Sequence, residues 1–180
     1  MAGIVALLHR SSHTEETSLK QITPQMLASL SADARASARR RANLNLHPQL
    51  DDPIQRLAIA MEPDTYVRPH RHPQTWEMLH PLAGSFLVLE FDDAGTVCSR
   101  TLLGLGENEA RLIELPAGRW HAVLSRTPGA VIFEVKHGPY QALGEADLAD
   151  WSPAAESAEA AELIAWYAQA QVGERWARPD

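Results

Sequence analysis

The chain has 180 residues, 45% of them hydrophobic and 22% charged, with a formal net charge of −7. That is enough to bury one core in a single domain, and the acidic balance argues against wholesale nucleic-acid binding. A single cysteine, Cys98, excludes an internal disulfide and fits a reducing compartment.

The opening run Met1-Ala2-Gly3-Ile4-Val5-Ala6-Leu7-Leu8 is too short for a signal h-region and lacks a basic lead. No stretch reaches the length needed to span a bilayer, so the expectation is a cytoplasmic protein without a membrane partner. Thr23-Pro24 reads as an N-cap followed by proline at N1. Met26, Leu27 and Leu30 then give one helical apolar face running towards Ala34. Arg35, Arg39, Arg40 and Arg41 follow, and Asn43-Leu44-Asn45-Leu46-His47-Pro48 is expected to be irregular. Residues 1–53 therefore read as a helical cap with a loop.

From Ile54 the period changes to two, with Leu57, Ile59 and Met61 alternating with Ala58 and Ala60. Further strands are expected at 66–72, 75–79, 85–91, 96–103, 111–115, 120–125 and 131–136. Turn signals separate them, among them Pro81-Leu82-Ala83-Gly84, Asp92-Asp93-Ala94-Gly95 and Pro116-Ala117-Gly118. Many short strands at even spacing predict a mostly β, antiparallel barrel or sandwich over 54–140. Ser152-Pro153 opens an alanine- and glutamate-rich stretch in which Ala160, Leu163, Ile164 and Tyr167 share a face. That predicts an amphipathic helix within a C-terminal segment, 141–180.

Two fragments carry the chemistry. His70-Arg71-His72 with Glu77, and Pro116-Ala117-Gly118-Arg119-Trp120-His121, supply three imidazoles and one carboxylate. Alternate strand residues point the same way, so His70 and His72 share a face, and the Pro-x-Gly turn is placed to deliver His121. Neutral imidazole with carboxylate suits one divalent ion such as Fe, Ni, Mn, Co or Zn. His9, His13 and His137 read as ordinary surface or satisfied core histidines, and His80 as a substitute donor should Glu77 point away.

The paired fragments resemble the two motifs of the cupin superfamily: His70, His72, Glu77 and Gly84 match the first, Pro116, Gly118 and His121 the second. The resemblance implies a single jelly-roll type antiparallel β-barrel with a metal near its mouth. A closer resemblance, to the WbuC family of cupin-fold metalloproteins, covers roughly residues 18–156. It is carried by Arg41, Asn43, Asn45-Leu46-His47, Pro53-Ile54-Gln55-Arg56 and Tyr66-Val67-Arg68-Pro69-His70-Arg71-His72. Phe133-Glu134-Val135-Lys136-His137-Gly138-Pro139-Tyr140 and Trp151-Ser152-Pro153 complete it. Members of that family are found in bacterial polysaccharide gene clusters, and no reaction comes with the resemblance.

Around the metal, Arg41 and Asn43 are candidate ligand-binding groups, because a guanidinium fork suits planar anions. Arg68 shares the parity of His70 and His72, so it is expected to face inward, pairing either with Glu134 or with a ligand anion. Lys136 shares the parity of Glu134 and poses the same question, Tyr140 is a candidate at the mouth, and His47 is a candidate general base. The function these readings suggest is Lewis-acid chemistry, such as isomerisation or epimerisation, on a small anionic carbohydrate or sugar-nucleotide derivative. The alternatives are an Fe(II)-dependent dioxygenase and a non-catalytic small-molecule binding or sensing module. A homodimer is expected, since open barrels often hide sheet edges in a partner.

Overall fold

The computed structural model describes residues 19–177. The apolar run at the N-terminus, with His9 and His13, lies outside them. Helix α1 (Pro24–Ala36) starts as its sequence dictates: Pro24 follows the cap, and the Thr23 hydroxyl accepts the Met26 N–H at 3.3 Å. Eight strands follow: β1 (Arg41–Asn45), β2 (Ile54–Met61), β3 (Glu77–Ala83), β4 (Ser85–Phe91), β5 (Val97–Gly104), β6 (Ile113–Leu115), β7 (Trp120–Ser125) and β8 (Ala130–His137). Helix α2 (Glu159–Gln169) ends the set.

The strands form two antiparallel sheets, one ordered β1-β2-β8-β3-β6 and the other β5-β4-β7. This is a jelly-roll sandwich, and its core lies where the inner faces meet. Leu57, Ile59 and Met61 of β2, Leu79 of β3, Ile132 of β8, and Phe86, Val88 and Val123 of the smaller sheet fill it. The even positions of β2 face outward, where Ala58 and Ala60 leave room for Leu30 and Ala34 of α1. On the far side α2 lays Leu163 and Tyr167 over Leu87, Leu89 and Phe91 of the smaller sheet. Each such leucine contributes about 1.5–3 kcal/mol of burial. Among the described residues no helix is long and apolar enough to cross a membrane.

Two expectations are corrected by the strand pairing. Residues 41–45, expected inside an irregular cap, are β1, paired along its whole length with β2, so the sheet begins at Arg41 rather than Ile54. Residues 66–72, expected as a strand, form only isolated bridges at His70. Their backbone is instead flanked by β7 on one side and by a strap from the C-terminal segment on the other. In that strap the Ala149 N–H donates to the Pro69 carbonyl, and the Arg71 N–H to the Asp147 carbonyl.

Candidate metal centre

Four elements converge at one end of the barrel. Glu77 opens β3, directly opposite Lys136 of β8, and its side chain is buried. His121 is the second residue of β7 and is 2% exposed. Gly118, at φ +77°, makes the turn ahead of it in a conformation that favours glycine. The Gly118 N–H donates to the His72 carbonyl at 2.9 Å, tying the two sequence fragments together. His70 is bridged to His121 itself.

The donor atoms of His70, His72, Glu77 and His121 all lie within 4.8 Å of one another. Glu77 Oε2 is 3.0 Å from His121 Nε2, and Glu77 Oε1 is 3.8 Å from His72 Nε2. Adjacent donors on one metal with bonds of about 2.1 Å sit about 3 Å apart, so the cluster has the dimensions of a coordination sphere. His72 Nε2 is buried and makes no hydrogen bond, although buried polar atoms are almost always partnered, and His121 Nε2 is buried against the Glu77 carboxylate alone. His70 Nδ1 lies 2.9 Å from the Arg68 carbonyl and His121 Nδ1 3.0 Å from that of Arg119. A carbonyl only accepts, so each Nδ1 carries a proton, and on a bound metal each Nε2 would supply the lone pair. The residues present therefore fit a divalent metal, which would be held by these four groups.

Electrostatics agree with that fit at His70, His72 and Glu77. Burial, reinforced by the neighbouring His121, lowers the His70 pKa to about 3, and burial lowers that of His72 to about 4. Both imidazoles are neutral near pH 7, as ligation requires. Burial works against ionisation of Glu77, but His121 and Lys136 outweigh it and hold the carboxyl well below the usual carboxylate range. Burial would also lower His121, and the Glu77 carboxylate reverses this, leaving His121 above its ordinary value. Behind the donors, Lys136 Nζ sits 2.6 Å from Glu134 and 3.6 Å from Glu77. Burial, with the Glu77 charge, pushes the Glu134 carboxyl up to about 7.

The remaining expected site residues divide. Lys136 and Tyr140 line a cavity of about 140 Å³ together with His72, Asp147 and the 138–143 loop. Arg41 and Asn43 lie on the concave side of β1, in register with Met61 and Ile59. Arg68 does not turn towards Glu134. Its Nε donates to the Ser152 hydroxyl at 2.9 Å, and its terminal nitrogen donates to the carbonyls of Ala149 at 3.0 Å and Ser152 at 3.5 Å. The parity argument fails here because 66–72 has no continuous ladder to enforce it. His47 is buried, its Nδ1 accepting the Arg56 N–H at 3.0 Å, and it belongs neither to the donor cluster nor to the cavity wall. His80 Nδ1 pairs with the Arg111 carbonyl at 2.7 Å, outside the cluster. His137 stands edge-on to Trp76, with ring centroids 6.0 Å apart.

Asp147 and Trp120 are additions that the sequence did not single out for this role. Asp147 receives Arg71 at 3.5 Å, and Arg71 lies over the Trp120 ring, 4.5 Å from its centroid, with Trp120 in turn donating to Asp93 at 2.9 Å. This arrangement fixes the strap beside the donors. Nothing in the local sequence marks Asp147, because its partner lies 76 residues away.

Fold and donor set together define a jelly-roll protein with a four-donor centre able to take a metal. A family described as a domain of unknown function (DUF6016) matches residues 22–103, a span holding α1 to β4, nearly all of β5 and three of the four donors. No curated protein matches the chain. Similar solved structures include KdgF from a Halomonas species, at 14% identity and TM-score 0.44, covering 56% of this chain and 80% of that one. A sugar phosphate isomerase of the cupin superfamily from Silicibacter pomeroyi shows 18% identity and TM-score 0.43, covering 54% and 59%. The TT1209 protein of Thermus thermophilus shows 18% and 0.45, covering 62% and 92%.

Proposed function

We propose that the protein binds one divalent metal ion through His70, His72, Glu77 and His121 and applies it to a small, oxygen-rich anionic ligand, a carbohydrate or sugar-nucleotide derivative. The observation that carries this reading is the convergence of three imidazoles on the ionised Glu77 carboxylate, with all four donor atoms within 4.8 Å of one another. The metal would supply Lewis-acid polarisation of a carbonyl or acidification of a bound hydroxyl. The chain's own part is to keep the His70 and His72 imidazoles neutral, hold His121 against the Glu77 carboxylate, orient the His70 and His121 rings through the Arg68 and Arg119 carbonyls, and shield one side with the strap. Lys136 stands at the cavity wall, where its ammonium meets both carboxylates. The resemblance to the WbuC family supports a place in bacterial polysaccharide metabolism.

The experiment is elemental analysis of untagged protein, followed by turnover of a panel of aldoses, ketoses, sugar acids and sugar nucleotides. One equivalent of zinc, manganese, nickel or cobalt, with isomerisation or epimerisation of one panel member, is the expected outcome. Stoichiometric iron with oxygen uptake would replace Lewis-acid chemistry by a dioxygenase. Metal without turnover of any panel member would leave a binding or sensing module.

A further inference from the structure

β1 is an edge strand whose two faces have different neighbours. Ala42 and Leu44 pack with α1 on the outside, which leaves Arg41, Asn43 and Asn45 on the concave side. Asn43 and Asn45 are exposed there, and Arg41 is half-buried. Among the described residues, no carboxylate closes on Arg41 within ion-pair distance and its guanidinium makes no hydrogen bond. Burial acts on it most strongly and the Arg39 charge next, while Glu134, Glu77 and Tyr140, the groups around the metal centre, also act on it.

A half-buried guanidinium has five donors to satisfy, and an oxyanion is the partner that matches its fork. The other cations near the centre are already engaged. Lys136 is held by Glu134 and Glu77, and Arg68 is fastened to the strap. Lys136 offsets the charge of Glu77, and Glu134 is partly protonated near neutrality. A divalent metal held by one carboxylate and three neutral imidazoles would keep a net positive charge and make the centre anion-seeking.

We propose that Arg41 is the anion-recognition residue of this site, receiving the carboxylate or phosphate oxygens of a small ligand whose other oxygens meet the metal. The proposal rests on the metal-binding reading above. Asn43, two residues further along β1 on the same face, would add a hydrogen bond to the same group. The cavity beside His72 and Lys136, at about 140 Å³, encloses a fragment of about six heavy atoms, so a nucleotide moiety would lie outside it.

Calorimetric titration of cobalt(II)-loaded protein with glucuronate, glucose 6-phosphate and uncharged glucose tests this. At least one anion is expected to bind tenfold or more tightly than glucose, and the two anionic arms tell carboxylate from phosphate. Arg41→Ala should abolish that preference while the cobalt absorption band persists. Arg41→Lys, which retains the charge but not the fork, should recover part of it. Glucose binding as tightly as both anions, no anion binding at millimolar concentration, or an unchanged preference in Arg41→Ala would each overturn the assignment. Should Arg41→Ala lose its circular dichroism, Arg41→Gln takes its place in the same titration. A wild-type protein that takes up no cobalt refutes the metal reading separately, and the same titrations on metal-free protein then decide the role of Arg41.

Discussion

His70 and His121 hold each other through their backbones: the His70 N–H donates to the His121 carbonyl at 3.0 Å, and the His121 N–H returns the bond at 2.9 Å. The two residues are 51 positions apart in the chain, yet this narrow antiparallel pair sets their rings with centroids 4.4 Å apart. Ring placement thus follows from main-chain pairing, and the side chains need only adopt the tautomer their carbonyl partners select.

His121→Ala should therefore remove one donor while leaving the backbone pair intact. Elemental analysis is expected to show loss of stoichiometric metal with an unchanged circular dichroism spectrum. A variant that retains one equivalent of metal would take His121 out of the donor set.

Lys136→Met should leave Glu134 and Glu77 facing each other in a buried space. Removing one partner of a buried ionic cluster costs about 3–5 kcal/mol, and disturbing the group behind a donor weakens metal binding about 10–100-fold. Urea unfolding of the metal-free protein and competition with a chelator measure the two effects. Adding Glu134→Gln to Lys136→Met should recover a substantial part of the stability, since the second buried charge is then gone.

Arg68→Ala should behave as a structural variant. Three hydrogen bonds from a charged donor to Ser152 and Ala149 are lost, and about 2–3 kcal/mol of stability with them. Affinity for the anionic probes should change less than twofold once metal is bound. A large loss of probe affinity at unchanged stability would return Arg68 to the ligand site.

Leu163→Ala tests the seating of α2. Leu163 is fully buried against the smaller sheet, and the truncation should cost about 2–5 kcal/mol. For a chain of this size that lowers Tm by about 4–20 °C in a thermal melt. A shift under 2 °C would mean that the helix contributes little to the stability of the barrel.

The donor set was legible because its residue types and spacing are themselves the chemistry: His70, His72, Glu77 and His121 needed only a turn at Gly118 to meet. The bounds of β2, β4 and β7 were legible for a similar reason, since one alternating or continuous apolar run fills one or both faces of each. β1 was not, although Asn43-Leu44-Asn45 alternates, because its polar residues face an open concave edge and look like turn residues. The destination of Arg68 was hidden for a different reason. Its acceptors include main-chain carbonyls about eighty residues away, and a carbonyl leaves no trace in a sequence. The same is true of His47, whose ring is occupied by a backbone N–H of β2.

The centre joins two halves of unequal stiffness. Glu77 and His121 sit in the ladders of two packed sheets, whereas His70 and His72 ride on a segment held by single bridges and by the strap. A bound ion would act as a rivet between them, and amide hydrogen exchange would register its removal first at residues 66–72 and 144–152. The metal-free protein should then breathe at that seam well before the barrel unfolds, giving the ion a way in and out that leaves both sheets closed.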